Sequence, residues 1–177
     1  METESNLSLV QAMTQEIMKE WKPDRARFET PLLLMIGGLQ GAGKTSILQK
    51  LSSEEVIIVI SPDQIRKKLF TVKYPFSENF IHLVEQTNHE LVKNAVDLQC
   101  SFGIDRNMTP QRIEAMKNLL SVMKHGNAYK IFSIFLNVPK DELIKRLQTR
   151  PKIENSYQGT LEELEAAIKQ YGEIDRS

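Results

Sequence analysis

Residues 31–49 read PLLLMIGGLQGAGKTSILQ, and they decide the fold. An apolar run over residues 32–36 leads into Gly38-Leu39-Gln40-Gly41-Ala42-Gly43-Lys44-Thr45-Ser46. Ile47, Leu48 and Leu51 then recur at helical spacing. The pattern G-x-x-x-x-G-K-[ST] is matched at every fixed position, in a strand–loop–helix context. The residue types follow from the chemistry of holding phosphate. Gly38, Gly41 and Gly43 let the backbone bend so that successive N–H groups point inward as a nest for anionic oxygens. The helix beginning near Gly43 brings its positive dipole end to the same point. Lys44 adds a point charge for the β- and γ-phosphates, and the Thr45 hydroxyl suits a Mg²⁺ ligand. A glycine-rich turn that binds nothing accounts for the glycines but not for Lys44-Thr45 at this spacing. The stretch predicts a site for a nucleoside triphosphate, ATP or GTP.

Outward from this loop, the chain alternates between two periodicities. Residues 5–22 form an amphipathic pattern with Val10, Met13, Ile17 and Trp21 on one stripe, stopped by Pro23 and followed by a charged connector to residue 30. Such a helix packs on its own domain or serves as an arm for a partner protein. After the loop helix, EVIIVI at residues 55–60 reads as a second, interior strand. Ser61-Pro62-Asp63-Gln64 then caps a helix, with Gln64 placed to complete a capping box. Residues 73–76, KYPF, break that helix, and Ser77 opens a long one. Residues 100–105 read as a third strand ending in a carboxylate, with Cys100 as an inert core thiol within it. Thr109-Pro110 starts the next helix, and KIFSIFLNV at residues 130–138 is a fourth strand. Further helices follow Pro139 and Thr160.

Composition sets the outer limits. The chain has 177 residues, enough for one core, and 23 basic residues balance 23 acidic ones. No global field therefore gathers nucleic acid or an anionic membrane. One cysteine forms no intrachain disulfide, which together with the absence of an apolar leader predicts a cytoplasmic setting. No apolar run approaches membrane-spanning length.

Strands alternating with helices predict an α/β three-layer sandwich with a parallel sheet. No fifth apolar run follows residue 171, so the sheet is expected to be short of a fifth strand. The expected division is a helix and connector over residues 1–30, then the domain that carries the loop over 31–177. Ligands of such sheets lie beyond the carboxyl ends of the strands, where the loop, Asp63 and Asp105 all fall.

Three further stretches resemble the P-loop kinases, most closely the branch containing the phage polynucleotide 5′-kinase and the zeta toxins. This implies a sandwich of the P-loop NTPase kinase type, a kinase-like domain over residues 31–177 and a lid near 145–160. In Asp63-Gln64-Ile65-Arg66, the resemblance implies that Asp63 is the general base and that Arg66 holds the acceptor. A first-turn carboxylate also favours the helix dipole without any chemistry. Asp105-Arg106-Asn107-Met108-Thr109-Pro110-Gln111-Arg112 is similar to that family's D-x-N-x-x-P-x-R stretch, which implies that Asp105 serves Mg²⁺ directly or through water. Residues 138–150, VPKDELIKRLQTR, lead into the lid, where the resemblance implies Arg150, and less closely Arg146, as the cation on the transferring phosphoryl group. Glu142 is also placed to pair with Arg146.

The resemblance thus implies a kinase using ATP and Mg²⁺ and an acceptor hydroxyl, on a polynucleotide end, a nucleotide sugar or another small molecule. A nucleotide-gated switch, or a module that binds ATP without turnover, is the alternative.

Overall fold

The computed structural model describes residues 2–22, 28–54, 56–71, 78–149 and 160–172. Pro23, the break at residues 73–76, the Ser77 cap, Arg150 and most of the expected lid lie outside the described residues.

Four parallel strands form the sheet: β1 (Leu32–Gly38), β2 (Ile58–Ile60), β3 (Phe102–Ile104) and β4 (Lys130–Leu136), in the order β2-β3-β1-β4. Parallel neighbours require crossovers. These are supplied by α2 (Lys44–Ser53), α3 (Pro62–Thr71), α4 (Glu78–Asp97) and α5 (Pro110–Ser121). The helix α1 (Glu2–Met18) precedes the sheet, and α6 (Lys140–Thr149) and α7 (Leu161–Gly172) follow it. β1 lies between β3 and β4, with Leu33 opposite both Phe102 and Ile131, so its apolar run is covered from each side.

Alternation along the strands sends side chains to two faces. On one, Leu33, Met35, Phe102, Ile58 and Ile60 join the main core with Ile65 and Leu69 of α3 and Leu83 and Leu91 of α4. Val10, Met13 and Ile17 of α1 are buried in that same cluster, so the amphipathic stripe packs on its own chain. On the other face, Ile36 meets Leu48 and Ile57. Each such buried side chain contributes about 1.5–3 kcal/mol by its removal from water. A third cluster, Ala42, Leu143 and Leu164, fastens α6 and α7 to the loop after β1. Along α7 the Thr160 hydroxyl accepts from the Glu163 N–H (3.2 Å), and the Glu163 carboxylate accepts from the Thr160 N–H (2.8 Å), closing a capping box.

Three strands are shorter than the sequence predicts, β4 in that it stops at Leu136 and not at residue 138. Residues 55–60 were expected, but β2 starts at Ile58, because the Val56 N–H is spent on the Leu51 carbonyl at the end of α2 (2.9 Å). Residues 100–105 were expected for β3, but Cys100 and Ser101 precede the strand. The Cys100 N–H closes onto the Ala95 carbonyl of α4 at 2.9 Å, so it is committed to the helix end and not to the ladder. Cys100 is buried all the same. Its carbonyl and that of Ala95 both face the hydroxyl of buried Tyr129, at 2.8 and 3.0 Å, and burial drives the Tyr129 pKa upward.

Among the described residues β4 is one of the two outer strands of the sheet, and Phe132, Ile134 and Phe135 stand about half exposed. No helix among the described residues is long and apolar enough to cross a membrane.

Candidate active site

The loop between β1 and α2 needs backbone that only glycine adopts without strain. Gly43 caps α2 at φ +98°, and a Cβ there would meet nothing within 4 Å, so the space over the helix start is open. Gly38 is the opposite case: at φ +135° its Cβ would lie 2.9 Å from the Leu136 carbonyl oxygen, so a side chain would push β1 and β4 apart. Between them Ala42 is buried, and its N–H closes on the Leu39 carbonyl at 3.2 Å. Gln40 has its side-chain oxygen buried with no hydrogen-bond partner, and Ser46 is exposed in the first turn of α2.

Lys44 folds back over this loop, donating from Nζ to the carbonyls of Gly38 (2.8 Å) and Leu39 (2.9 Å). The ammonium is thereby held at the mouth of the nest, where a phosphate oxygen would sit. Next to it, the Thr45 hydroxyl donates to Asp105 Oδ1 at 2.9 Å, across 60 residues of sequence. Asp105 is set at the carboxyl end of β3 by its own N–H, which bonds the Ile60 carbonyl of β2 (2.9 Å). A hydroxyl and a carboxylate oxygen this close form a hard-donor pair that fits Mg²⁺, which takes one or two protein oxygens and fills its octahedron with phosphate and water. Such an ion needs no larger cluster, and among the described residues none of three or more His, Cys, Asp or Glu exists.

Asp63 stands in the first turn of α3, half-buried, in an ion pair with Arg66 three residues on. Asp63, Thr45 and Asp105 all line one cavity of about 440 Å³. The structure therefore brings the loop, the hydroxyl–carboxylate pair and Asp63 to one side of the sheet. It turns Arg66 onto Asp63.

Of the two lid arginines, Arg150 lies outside the described residues. Arg146 projects from α6 onto the loop, where its Nη1 donates to the Gly41 carbonyl (3.2 Å) while Nε holds Glu142 (2.8 Å). The helix-face pairing of Glu142 and Arg146 anticipated from their spacing is present, and it steers the guanidinium towards the loop.

Two residues escape a motif-based reading. Asn107, inside the D-x-N-x-x-P-x-R stretch, accepts the Gly38 N–H on its side-chain oxygen at 3.3 Å, while Arg112 Nη1 grips the Asn107 carbonyl at 2.8 Å. The middle of that stretch thus braces the phosphate loop, and Thr109 caps α5 behind it. Trp21, just after α1, lines the cavity that Asp63 faces. Its position in the amphipathic stripe marked it only as core.

A four-stranded parallel sheet with the phosphate loop after its central strand, and a hydroxyl–carboxylate pair at the next strand end, defines a P-loop kinase-like domain. The model of an AAA-domain family matches residues 33–174, and the chain belongs to that family. Comparison with curated proteins by sequence gives no match. Among solved structures, one from the Pnkp1/Rnl/Hen1 RNA repair complex aligns with a TM-score of 0.61 at 15% identity, covering 88% of this chain and 48% of that one. One from the AvrRxo1-ORF1:-ORF2 complex gives 0.62 at 12%, covering 98% and 58%. One from the PezAT chromosomal toxin–antitoxin system of Streptococcus pneumoniae gives 0.58 at 14%, covering 82% and 61%. These likenesses are of fold. The chain spans about half the length of the RNA-repair and AvrRxo1 chains.

Proposed function

We propose that the domain is an ATP-dependent phosphotransferase that moves the γ-phosphoryl group to an acceptor hydroxyl. The observation that carries this is the shared cavity. Thr45 and Asp105, the pair suited to Mg²⁺, line the same space as Asp63, a carboxylate suited to taking a proton. The nest of Gly38 to Gly43 and the α2 N-terminus hold the phosphates, and Lys44 neutralises the β- and γ-oxygens. When bound, Mg²⁺ would supply charge neutralisation between the β- and γ-phosphates. Asp63 accepts the acceptor's hydroxyl proton as its oxygen attacks the γ-phosphorus and the bond to the ADP oxygen breaks. Arg146, already on the loop, spreads its charge over the transferring group, and Arg150 is a second candidate for that task. Arg66 orients Asp63, and a bound acceptor competes for its donors.

The RNA-repair neighbour supports a polynucleotide 5′-hydroxyl as acceptor, and the balanced net charge supports a small molecule. The Asp63–Arg66 ion pair also favours a second reading, a nucleotide-binding switch, because the carboxylate that would take the hydroxyl proton is already engaged by a guanidinium. Incubation with γ-labelled ATP and a panel of RNA, DNA, nucleotide sugars and small hydroxyl compounds separates the two. Label on an acceptor supports the kinase. Release of phosphate alone, unchanged in Asp63→Asn, supports the switch.

A further inference from the structure

The cavity that holds Asp63 does not end at the catalytic groups. It continues along β2, past Gln49 and Ser52 of α2, to Trp21 and Lys22 at the end of the N-terminal helix segment, with a volume of about 440 Å³. This is the size of a small-ligand site. We propose that this cavity is the acceptor site, that Trp21 forms its far wall, and that it takes a neutral, hydroxyl-bearing small molecule whose ring offers an apolar face, such as a pyranoside or a nucleoside. This rests on the kinase reading for the meaning of the catalytic end, but the binding of the ligand does not.

Three features select that class. Among the described residues the charged groups around the cavity are Glu20, Asp63 and Asp105 against Lys22 and Lys67, so those walls carry no positive excess. Glu20 is, moreover, engaged by Gln64 (2.9 Å) and by Lys68 (2.9 Å), which fixes the wall next to Trp21. A polynucleotide places a run of phosphates beyond its terminal hydroxyl, and such a run needs a basic groove. Here it would meet three carboxylates. The second feature is the balance of the lining, in which Ile57, Ile58 and Val59 supply apolar surface beside polar Gln49 and Gln64. A ring with hydroxyls at its edge and hydrocarbon on its face matches both. The third is Trp21 itself. Its indole N–H is buried without a partner, so the surface that this half-buried side chain offers is carbon, fit for stacking.

Trp21 is the single tryptophan of the chain, so its emission reports the cavity directly. The test titrates the full chain, without ATP, with adenosine, methyl β-glucopyranoside and a 5′-hydroxyl octanucleotide, and follows Trp21 fluorescence. The same three compounds are then offered with γ-labelled ATP. The expected result is a saturable emission change with a neutral ring compound and none with the octanucleotide, and transfer of label to that compound. Trp21→Ala should raise the KM of that acceptor about tenfold, a loss of about 1.4 kcal/mol, with ATP affinity held. Trp21→Phe, which keeps a ring and guards against misfolding, should restore most of it. Emission unmoved by both neutral compounds overturns the proposal. So does label on the octanucleotide with a KM indifferent to Trp21→Ala, and in that case the kinase reading survives. A saturable emission change with no transfer to any acceptor supports the site and removes the kinase instead.

Discussion

Arg146 on α6 donates to the carbonyl of Gly41 in the phosphate loop at 3.2 Å, 105 residues away in sequence. The contact places a permanent cation beside the nest. The cluster of Ala42, Leu143 and Leu164 holds the helix against the loop and so holds the guanidinium in range. Arginine here does more than balance a helix C-terminus, because its nearest backbone partner belongs to the loop. Arg146→Ala is expected to lower kcat by about 10²-fold while ATP affinity changes little, since its charge matters most as charge moves in the transition state. Steady-state kinetics beside calorimetry check this. Equal losses in kcat and ATP affinity would make Arg146 a loop brace and leave the transition-state role to Arg150.

Lys44 has two tasks, and its variants separate them. Its ammonium ties the Gly38 and Leu39 carbonyls together and lies where the β- and γ-phosphates would be. Lys44→Ala removes both the tie and the charge; Lys44→Met keeps the stem and removes the charge. Both should weaken Mg·ATP binding at least about tenfold, with a melting temperature within a few degrees of wild type, because the loop is also braced by Asn107. Calorimetric titration that finds no triphosphate binding to the wild-type chain would remove the nucleotide site altogether.

The phosphate loop was legible in the sequence because its chemistry is local: glycine, lysine and threonine at fixed spacing admit few other uses. The parallel sheet was legible for a similar reason, since each strand is an apolar run bounded by turn residues. What the sequence hid is what depends on distant partners. Gly103 makes β3 look weakly apolar, yet a Cβ there would lie 2.5 Å from a Leu48 methyl, so glycine leaves room for Leu48 in its present rotamer. Asn107 carried no visible role until Gly38 stood opposite it. Arg66 looked available for an acceptor, and nothing in its spacing from Asp63 distinguished that from the ion pair it makes. Trp21 has the periodicity of a core residue and also lines a cavity, and only the tertiary path of α1 brings it there.

The docking of α1 carries a pH dependence. Lys68 of α3 bonds Glu16 (2.7 Å) and Glu20 (2.9 Å) of the N-terminal helix segment. The hydrogen bond from Lys68, and then its charge, lower the Glu16 pKa below 4.5. A carboxylate depressed in the folded state stabilises above its unfolded pKa, and the contribution disappears as pH falls through the lower, folded value. The same hydrogen bonds raise the Lys68 pKa above 10.5, so its share is complete below that value and is lost only as pH rises through the folded one. Between pH 5 and 10 the tie is therefore intact. Lys68→Met should lower the melting temperature modestly at pH 7 and by less at pH 3.5, where the wild-type bond is already weakened. A difference that stays the same at both pH values would assign the effect of Lys68 to packing of its stem.

Asp63 is where a kinase and a switch diverge. Its position follows from the sequence: an apolar strand ends, Pro62 starts α3, and Asp63 falls in the first turn, beyond the strand's carboxyl end. That placement alone serves the helix dipole, and a surface carboxylate there contributes a few tenths of a kcal/mol. Two facts argue for more. Asp63 lines the cavity shared with Thr45 and Asp105, and a guanidinium three residues on is turned onto it. The pairing gives orientation, so substitutions at Asp63 and at Arg66 should behave differently. Asp63→Asn, nearly the same shape with no proton affinity, should reduce transfer by about 10²–10⁴-fold, with ATP affinity and melting temperature near wild type. Arg66→Ala leaves the carboxylate in place without its guide, so it should raise acceptor KM and reduce kcat by less than Asp63→Asn does. An equal fall in kcat in both variants would remove the guiding role from Arg66. Full transfer by Asp63→Asn would leave Asp63 a helix-start residue and the domain a nucleotide switch.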